Sequence, residues 1–345
     1  EILRCLVGSE MCIRDRHGDA NYVTQYFQEF AADPFRPVLW TVVIFLICHF
    51  VIIHGVRGGI EKASKVMMPL LFILLLIIVV ASCLLPDAGK GVEFLLKPDF
   101  GKVDRNVFLN ALGQSFYSMS IGMGCICTYA SYFSRQTNLF KSALQISVID
   151  LMVAVLAGLM IFPAAFSVGI SPDSGPSLIF ITLPNVFNKA FAALPVLGWI
   201  ISLLFYVLLS VAALTSLMSL HEVNTSFFYE ELKIDRKKGA WIVTISCAVI
   251  GAFCSFSLGA TDKLSWFGKT LFDWFDFITG QIFLPMAGLL TCLFLGWYVP
   301  KKILKDEFTN WGTLKGRLFG IYFFLIRFVC PILILLVFLN QFDVL

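Results

Sequence analysis

Eight stretches of this chain, at residues 37–54, 66–85, 107–133, 143–168, 197–220, 240–258, 277–299 and 318–339, are apolar over roughly the length of a membrane-crossing helix. The hydrocarbon core of a bilayer takes about 20 such residues. Inside it every backbone amide and carbonyl needs an internal partner, which only helices and closed barrels provide. The ten-residue alternating pattern of barrel strands is absent, so the expectation is an all-α, polytopic membrane protein with eight spans. Composition agrees. Apolar types make up 58% of the 345 residues and charged types 14%, with a mean hydropathy of +0.84. A soluble domain lies nearer half and a quarter, and would have to expose large apolar patches to carry this much. The net charge of +3 points to no nucleic-acid partner.

The connecting loops alternate in charge. One set, "HGVRGGIEKASK", "SRQTNLFK", "EELKIDRKKG" and "PKKILKDEFTNWGTLKGR", carries 14 Lys and Arg, against 7 in the other. The other set reads "PDAGKGVEFLLKPDFGKVDR", "SPDSGPSLIFITLPNVFNKAFAALP" and "ATDKLSWFGKTLFD". Lys and Arg in short loops stay cytoplasmic, which puts the first set inside and both ends of the eight-span run outside. Cys48, Cys83, Cys125, Cys127, Cys247, Cys254, Cys292 and Cys330 all lie in apolar runs. Thiols there behave as small hydrophobes, and no disulfide framework or zinc spacing is present.

Residues 1–16, "EILRCLVGSEMCIRDR", fit neither period. Back-translated, "LVGSEMCIRD" resembles the end sequence of transposase-built sequencing libraries, and the first five residues fit an adapter end with an index barcode. Residues 1–16 are therefore expected to be an adapter-derived artefact and are set aside. Residues 17–345 are expected to be one truncated membrane domain that has lost an odd number of earlier spans.

Three features depart from lipid-facing helix. The first is "GQSFYSMSIGMG", at 113–124, with Gly and Ser in mid-span. Glycine costs about 1 kcal/mol in a helix interior relative to Ala. The stretch reads either as a helix break, tolerable where freed backbone lines a cavity, or as close packing through small residues. The second is Asp150 in "ISVIDLMVAVLAGLMIFP". A carboxylate inside a span costs about 2.5–3.5 kcal/mol on insertion scales and needs a proton or a cation. The alternative places it at the cytoplasmic headgroups. The third is "VAALTSLMSLHEV", where Ala212, Thr215, Ser216 and Ser219 share one helical face. Oxygens there suit a hard cation such as Na⁺. Hydroxyls bonded back to their own helix are the other reading. His221 and Glu222 close the segment, with His221 expected to be a neutral structural histidine.

At these segments the chain resembles the sodium:neurotransmitter symporters, in particular their bacterial amino-acid members. "GQSFYSMSIGMGCICTYASYF" is similar to that family's sixth transmembrane helix and "DLMVAVLAGLMIFP" to the seventh. "GPSLIFITLP" is similar to the fourth extracellular loop, "AALTSLMS" to the eighth helix and "LFDWFDFITG" to the start of the tenth. The resemblance runs from about Tyr22 to the C-terminus. It implies a partial inverted-repeat leucine-transporter-type fold (this family is itself a standard example of inverted repeats). Helices four to eleven would be present: the end of the first repeat, a complete second repeat and one extra helix.

The resemblance also implies roles. Ser118 and Asp150 would belong to a first sodium site, with the Asp supplying the charge that chloride supplies elsewhere, so that chloride is not required. Ala212, Thr215 and Ser216 would form the second. Tyr117, Ser118 and Ser120 would receive the substrate ammonium, and Met123, Ser219 and Leu220 its side chain. Met123 stands where relatives often carry Phe. Asp276 would be the acidic half of an outer gate, with Gln114 beside it. Gly59 and Pro69 match a motif linked to unwinding of the fifth helix. The implied activity is sodium-coupled import of a neutral, hydrophobic amino acid across the inner membrane of a bacterium. Both sodium sites are expected to be incomplete without earlier helices, and the fragment alone inactive. A proton-coupled permease of the same fold and a non-transporting amino-acid sensor remain alternatives. A homo-oligomeric state stays open. No HExxH or nucleophile–base pattern suggests an enzyme.

Overall fold

A computed structural model of the chain describes residues 20–55, 59–134, 137–167, 179–180, 183, 186–187, 195–260, 265–266, 268–312 and 316–341. In chain order the helices are α1 (Ala20–Ala32), α2 (Arg36–Ile53), α3 (Glu61–Cys83), α4 (Ala88–Leu96), α5 (Arg105–Ser118), α6 (Cys125–Ser131), α7 (Leu139–Ser167), α8 (Pro195–Glu230) and α9 (Arg236–Ser255). Then come a two-stranded antiparallel ribbon (β1 Ser265–Trp266, β2 Lys269–Thr270), α10 (Leu271–Asp276), α11 (Leu284–Leu293), α12 (Lys301–Phe308), α13 (Phe319–Phe324) and α14 (Cys330–Asn340). The π-helical segments Phe277–Phe283 and Phe294–Tyr298 make α10 and α11 one continuous run, and Leu325–Val329 joins α13 to α14.

Helices start where the sequence supplies an acceptor for orphan amides. Asp33 accepts from the amides of Phe35 (2.8 Å) and Arg36 (3.0 Å) at α2. Asp104 accepts from Val107 at 2.8 Å at α5. Among the described residues seven helices are long and apolar enough to cross a membrane. The eighth expected span, 107–133, is α5 and α6 with an interruption between them.

By contacts the chain divides into two compact units, a different division from the repeat-based one read from the sequence. The first joins Glu1–Pro98 to Val153–Phe272. Here α2 packs on α8 and α9, and α3 on α8. Its core gathers Leu75 and Ile78 of α3, Phe187, and Ile201, Phe205 and Tyr206 of α8. Phe187 meets Phe205 edge-on at 5.4 Å. Close approach is set by small residues, the usual device where lipid removes the hydrophobic drive between helices. A Cβ on Gly91 of α4 would stand 2.5 Å from the Phe162 backbone, and one on Gly158 would stand 2.9 Å from Leu95. Val66, Ile73 and Val80 of α3 and Ile245 and Val249 of α9 point outward, the surface a lipid solvent demands.

Polar residues are also buried in this unit. Thr244 Oγ1 lies 3.0 Å from His49 Nδ1 and 2.8 Å from His221 Nε2, and donates to the Ala240 carbonyl. Glu222, fully buried, pairs with Arg236 at 2.5 Å, and Arg236 also donates to the Ile52 carbonyl. Each polar group thereby gains the partner that burial requires.

The second unit joins Asp99–Met152 to Asp273–Leu345. Here α11 packs on α14, and α5 packs on both. A Cβ on Gly288 of α11 would stand 3.3 Å from the Phe116 ring of α5.

Candidate cation and substrate site

The site begins with a helix that stops. The last turn of α5 ends at Ser118, and the Met119 amide reaches back to the Ser115 and Tyr117 carbonyls. Ser120 (φ 52°), Gly122 (φ 89°) and Gly124 (φ 81°) then take positive φ before α6 begins at Cys125. Glycine adopts that region without a Cβ penalty, whereas a serine there is uncommon and strained. Gly122 is further constrained by α11, since a Cβ on it would stand 2.5 Å from the Leu284 carbonyl. Both readings of the Gly/Ser stretch thus hold at once, for it breaks the helix and it permits close packing.

Opposite the break stands the intramembrane carboxylate. Ser118 Oγ lies 2.8 Å from each carboxylate oxygen of Asp150 and donates to it. Asp150 sits eleven residues past the start of the 29-residue α7. A turn earlier, Ser147 Oγ approaches the Met119 sulfur at 3.9 Å. The sequence reading did not single out Ser147, a hydroxyl placed at i−3 from the acid. Tyr117 and Ser118 are exposed, and Ser120 and Met123 half-buried.

The second expected set lies on α8 in the first unit. Thr215 Oγ1 donates to the Ala212 carbonyl at 2.8 Å, and Ser219 Oγ to the Thr215 carbonyl at 3.0 Å. These are the back-bonds of the alternative reading. They use the hydroxyl protons and leave oxygen lone pairs for a cation. Ser216 and Leu220 are exposed on the same helix. Substrate residues expected from α8 belong to the first unit, and those from the break to the second.

In the second unit Gln114 and Asp276 line one cavity of about 370 Å³. Asn110, Gln281, Asn340 and Gln341 share its wall, and Asn340 donates to Asn110 at 3.4 Å. These four amides escaped the sequence reading because they lie near the ends of apolar runs, where polar residues are unremarkable. Gly59 is buried against the Val51 backbone, and Pro69 stands inside α3. Most of "GPSLIFITLP", at 175–184, lies outside the described residues. His221 is buried between Thr225 and Thr244, as expected of a structural histidine.

Comparison with known proteins bears on this arrangement. Residues 25–344 match the model of the sodium:neurotransmitter symporter family. An uncharacterized sodium-dependent transporter of Bacillus subtilis, YhdH, is 36% identical over 320 residues, covering 92% of this chain and 70% of the relative. One from Haemophilus influenzae is 34% identical, covering 89% and 66%, and one from Methanocaldococcus jannaschii 28%, covering 88% and 61%. The chain thus spans about two thirds of the length of these curated relatives. The crystal structure of MhsT in complex with L-phenylalanine superposes with a TM-score of 0.83 at 34% identity, over 98% of this chain and 75% of that one. The spans and these relatives make it a multi-pass protein of the bacterial inner membrane, with the leucine-transporter-type fold expected from the sequence, and a transporter relative rather than an enzyme. Its interrupted span, its carboxylate in α7 and its match over nearly the whole length place this chain in the sodium:neurotransmitter symporter family.

Proposed function

We propose that this chain serves sodium-coupled import of a neutral, hydrophobic amino acid by alternating access. The observation that carries the proposal is the Ser118–Asp150 pair beside a helix break in mid-span. Na⁺ is a hard cation that takes several oxygens. A carboxylate, a hydroxyl and the peptide carbonyls of 119–124 are such a set. Asp150 brings the negative charge that offsets the cation in a low-dielectric surrounding, so transport needs no chloride. The Ala212 carbonyl with the Thr215 and Ser216 hydroxyls contributes ligands to the second sodium site. Tyr117, Ser118 and Ser120 receive the substrate ammonium, and Met123, Ser219 and Leu220 its side chain. The phenylalanine held by MhsT supports a neutral substrate with a large apolar group.

In this reading Ser118 belongs to both the ion site and the substrate site. Binding of either then orders the other, and the coupling is reciprocal in free energy. Gln114 and Asp276 act in the outer gate. At the inner end, Pro69 deprives α3 of one helical hydrogen bond, which suits a segment that unwinds with buried Gly59 to release the ion.

The test is uptake of labelled phenylalanine into vesicles by the complete reading frame that carries this chain. Uptake is expected with a Na⁺ gradient, to vanish with choline in place of Na⁺, and to persist with gluconate in place of chloride. Equal uptake in choline would contradict the proposal and point to proton coupling. Binding without uptake would point to a sensor.

A further inference from the structure

The π-helical turns Phe294–Tyr298 and Leu325–Val329 face each other in the second unit. Such turns are rare and cluster at functional sites. Gly296 makes the approach feasible, since a Cβ there would stand 2.9 Å from Arg327 Cα. Trp297 Nε1 donates to the Arg327 carbonyl at 3.3 Å.

Arg327 lies within the Phe319–Asn340 span. Its guanidinium carbon stands 4.2 Å over the Trp297 ring, and 5.6 and 5.7 Å from the centres of Phe328 and Phe323. The ammonium of Lys301 lies 5.1 Å over the same Phe323 ring. Among the described residues no carboxylate pairs with either cation, and Arg327 Nε is enclosed without a hydrogen-bond partner. A cation inside a span is costly. Aromatic faces recover part of that cost, but they do not use the N–H fork, which matches a phosphate.

Depth says where the phosphate comes from. Trp297 is the next-to-last residue of the Leu271–Tyr298 span and is 59% exposed. The loop that follows, with Lys301, Lys302 and Lys305, belongs to the positive, cytoplasmic set. Arg327 therefore snorkels along its own span to headgroup level beside a Trp of the aromatic belt. We infer that Arg327, Trp297 and Lys301 form a binding site for the phosphate of an anionic lipid in the cytoplasmic leaflet. Basic pockets between spans on this side are suited to such headgroups.

The experiment reconstitutes the full chain in mixed micelles with brominated phosphatidylglycerol or brominated phosphatidylcholine. The Trp297 component of fluorescence quenching is obtained by subtracting Trp297→Phe. Phosphatidylglycerol is expected to quench at a mole fraction about fivefold lower than phosphatidylcholine, the scale of one basic residue at a membrane surface. Arg327→Gln should abolish that preference and Arg327→Lys keep part of it. If Arg327→Gln does not fold, Lys301→Gln, on an exposed helix, decides by narrowing the preference, by up to about fivefold for one basic residue. Equal quenching by the two lipids, or an unchanged preference in the variants, overturns the inference. So does displacement of the lipid by millimolar inorganic phosphate, which would make the site one for free phosphate.

Discussion

In the first unit α2, α3 and α8 run unbroken and close over Ile78, Phe187 and Phe205. Four buried polar side chains, His49, His221, Glu222 and Thr244, and the half-buried Arg236 are held in mutual contacts. In the second unit α5 stops at Ser118, the later spans pass through π-helical turns, and the polar residues line a cavity or approach the break. Both units meet the same lipid. The difference shows that polar groups within the bilayer serve two ends: matched pairs fix helices together, whereas interrupted backbone and half-exposed acids leave coordination for something else.

The comparison breaks first at Gly122. Gly122→Val is expected to abolish phenylalanine uptake, because the side chain meets the Leu284 carbonyl and the backbone is at positive φ. Gly320→Ala, with no neighbour within 4 Å of its Cβ, should leave uptake intact. Equal loss in both would mean that the break carries no special constraint.

Glu222→Gln should act on stability. It leaves Arg236 without its charge partner, at a cost of about 2 kcal/mol, below the range for a fully buried pair because Arg236 is partly exposed. Loss of helical circular dichroism on heating would read this as a lower unfolding temperature. An unchanged temperature would remove the pair from the account of the first unit.

Thr244→Val should act on a similar scale, about 2 kcal/mol, by taking one hydrogen bond from each of two buried histidines. Neither first-unit variant should move the Na⁺ dependence of uptake. A shift in that dependence with Thr244→Val would show that the network also serves transport.

Hydropathy alone placed the spans, and the Gly/Ser run marked where one is interrupted. The cost of burying a carboxylate marked Asp150. Its partner could not be read that way. Ser118 lies 32 residues away, and only the family resemblance joined the two. The His49–Thr244 contact, 195 residues apart in sequence, was out of reach altogether, since a lone Thr in an apolar helix looks like any other. Likewise Arg236 reads as one of a cytoplasmic basic run until α9 packs beside α8 and delivers it to Glu222. What a single sequence transmits is the free energy of each residue in lipid; which polar residue meets which is decided by the crossing of helices.

The most direct measurement is equilibrium binding of ²²Na⁺ to the protein from the complete reading frame, wild type against Asp150→Ala, in the absence of chloride. The account predicts saturable binding in the wild type, and at least about a tenfold loss of affinity in the variant, the size of removing a charge-assisted contact. The same Na⁺ affinity in both proteins would contradict it.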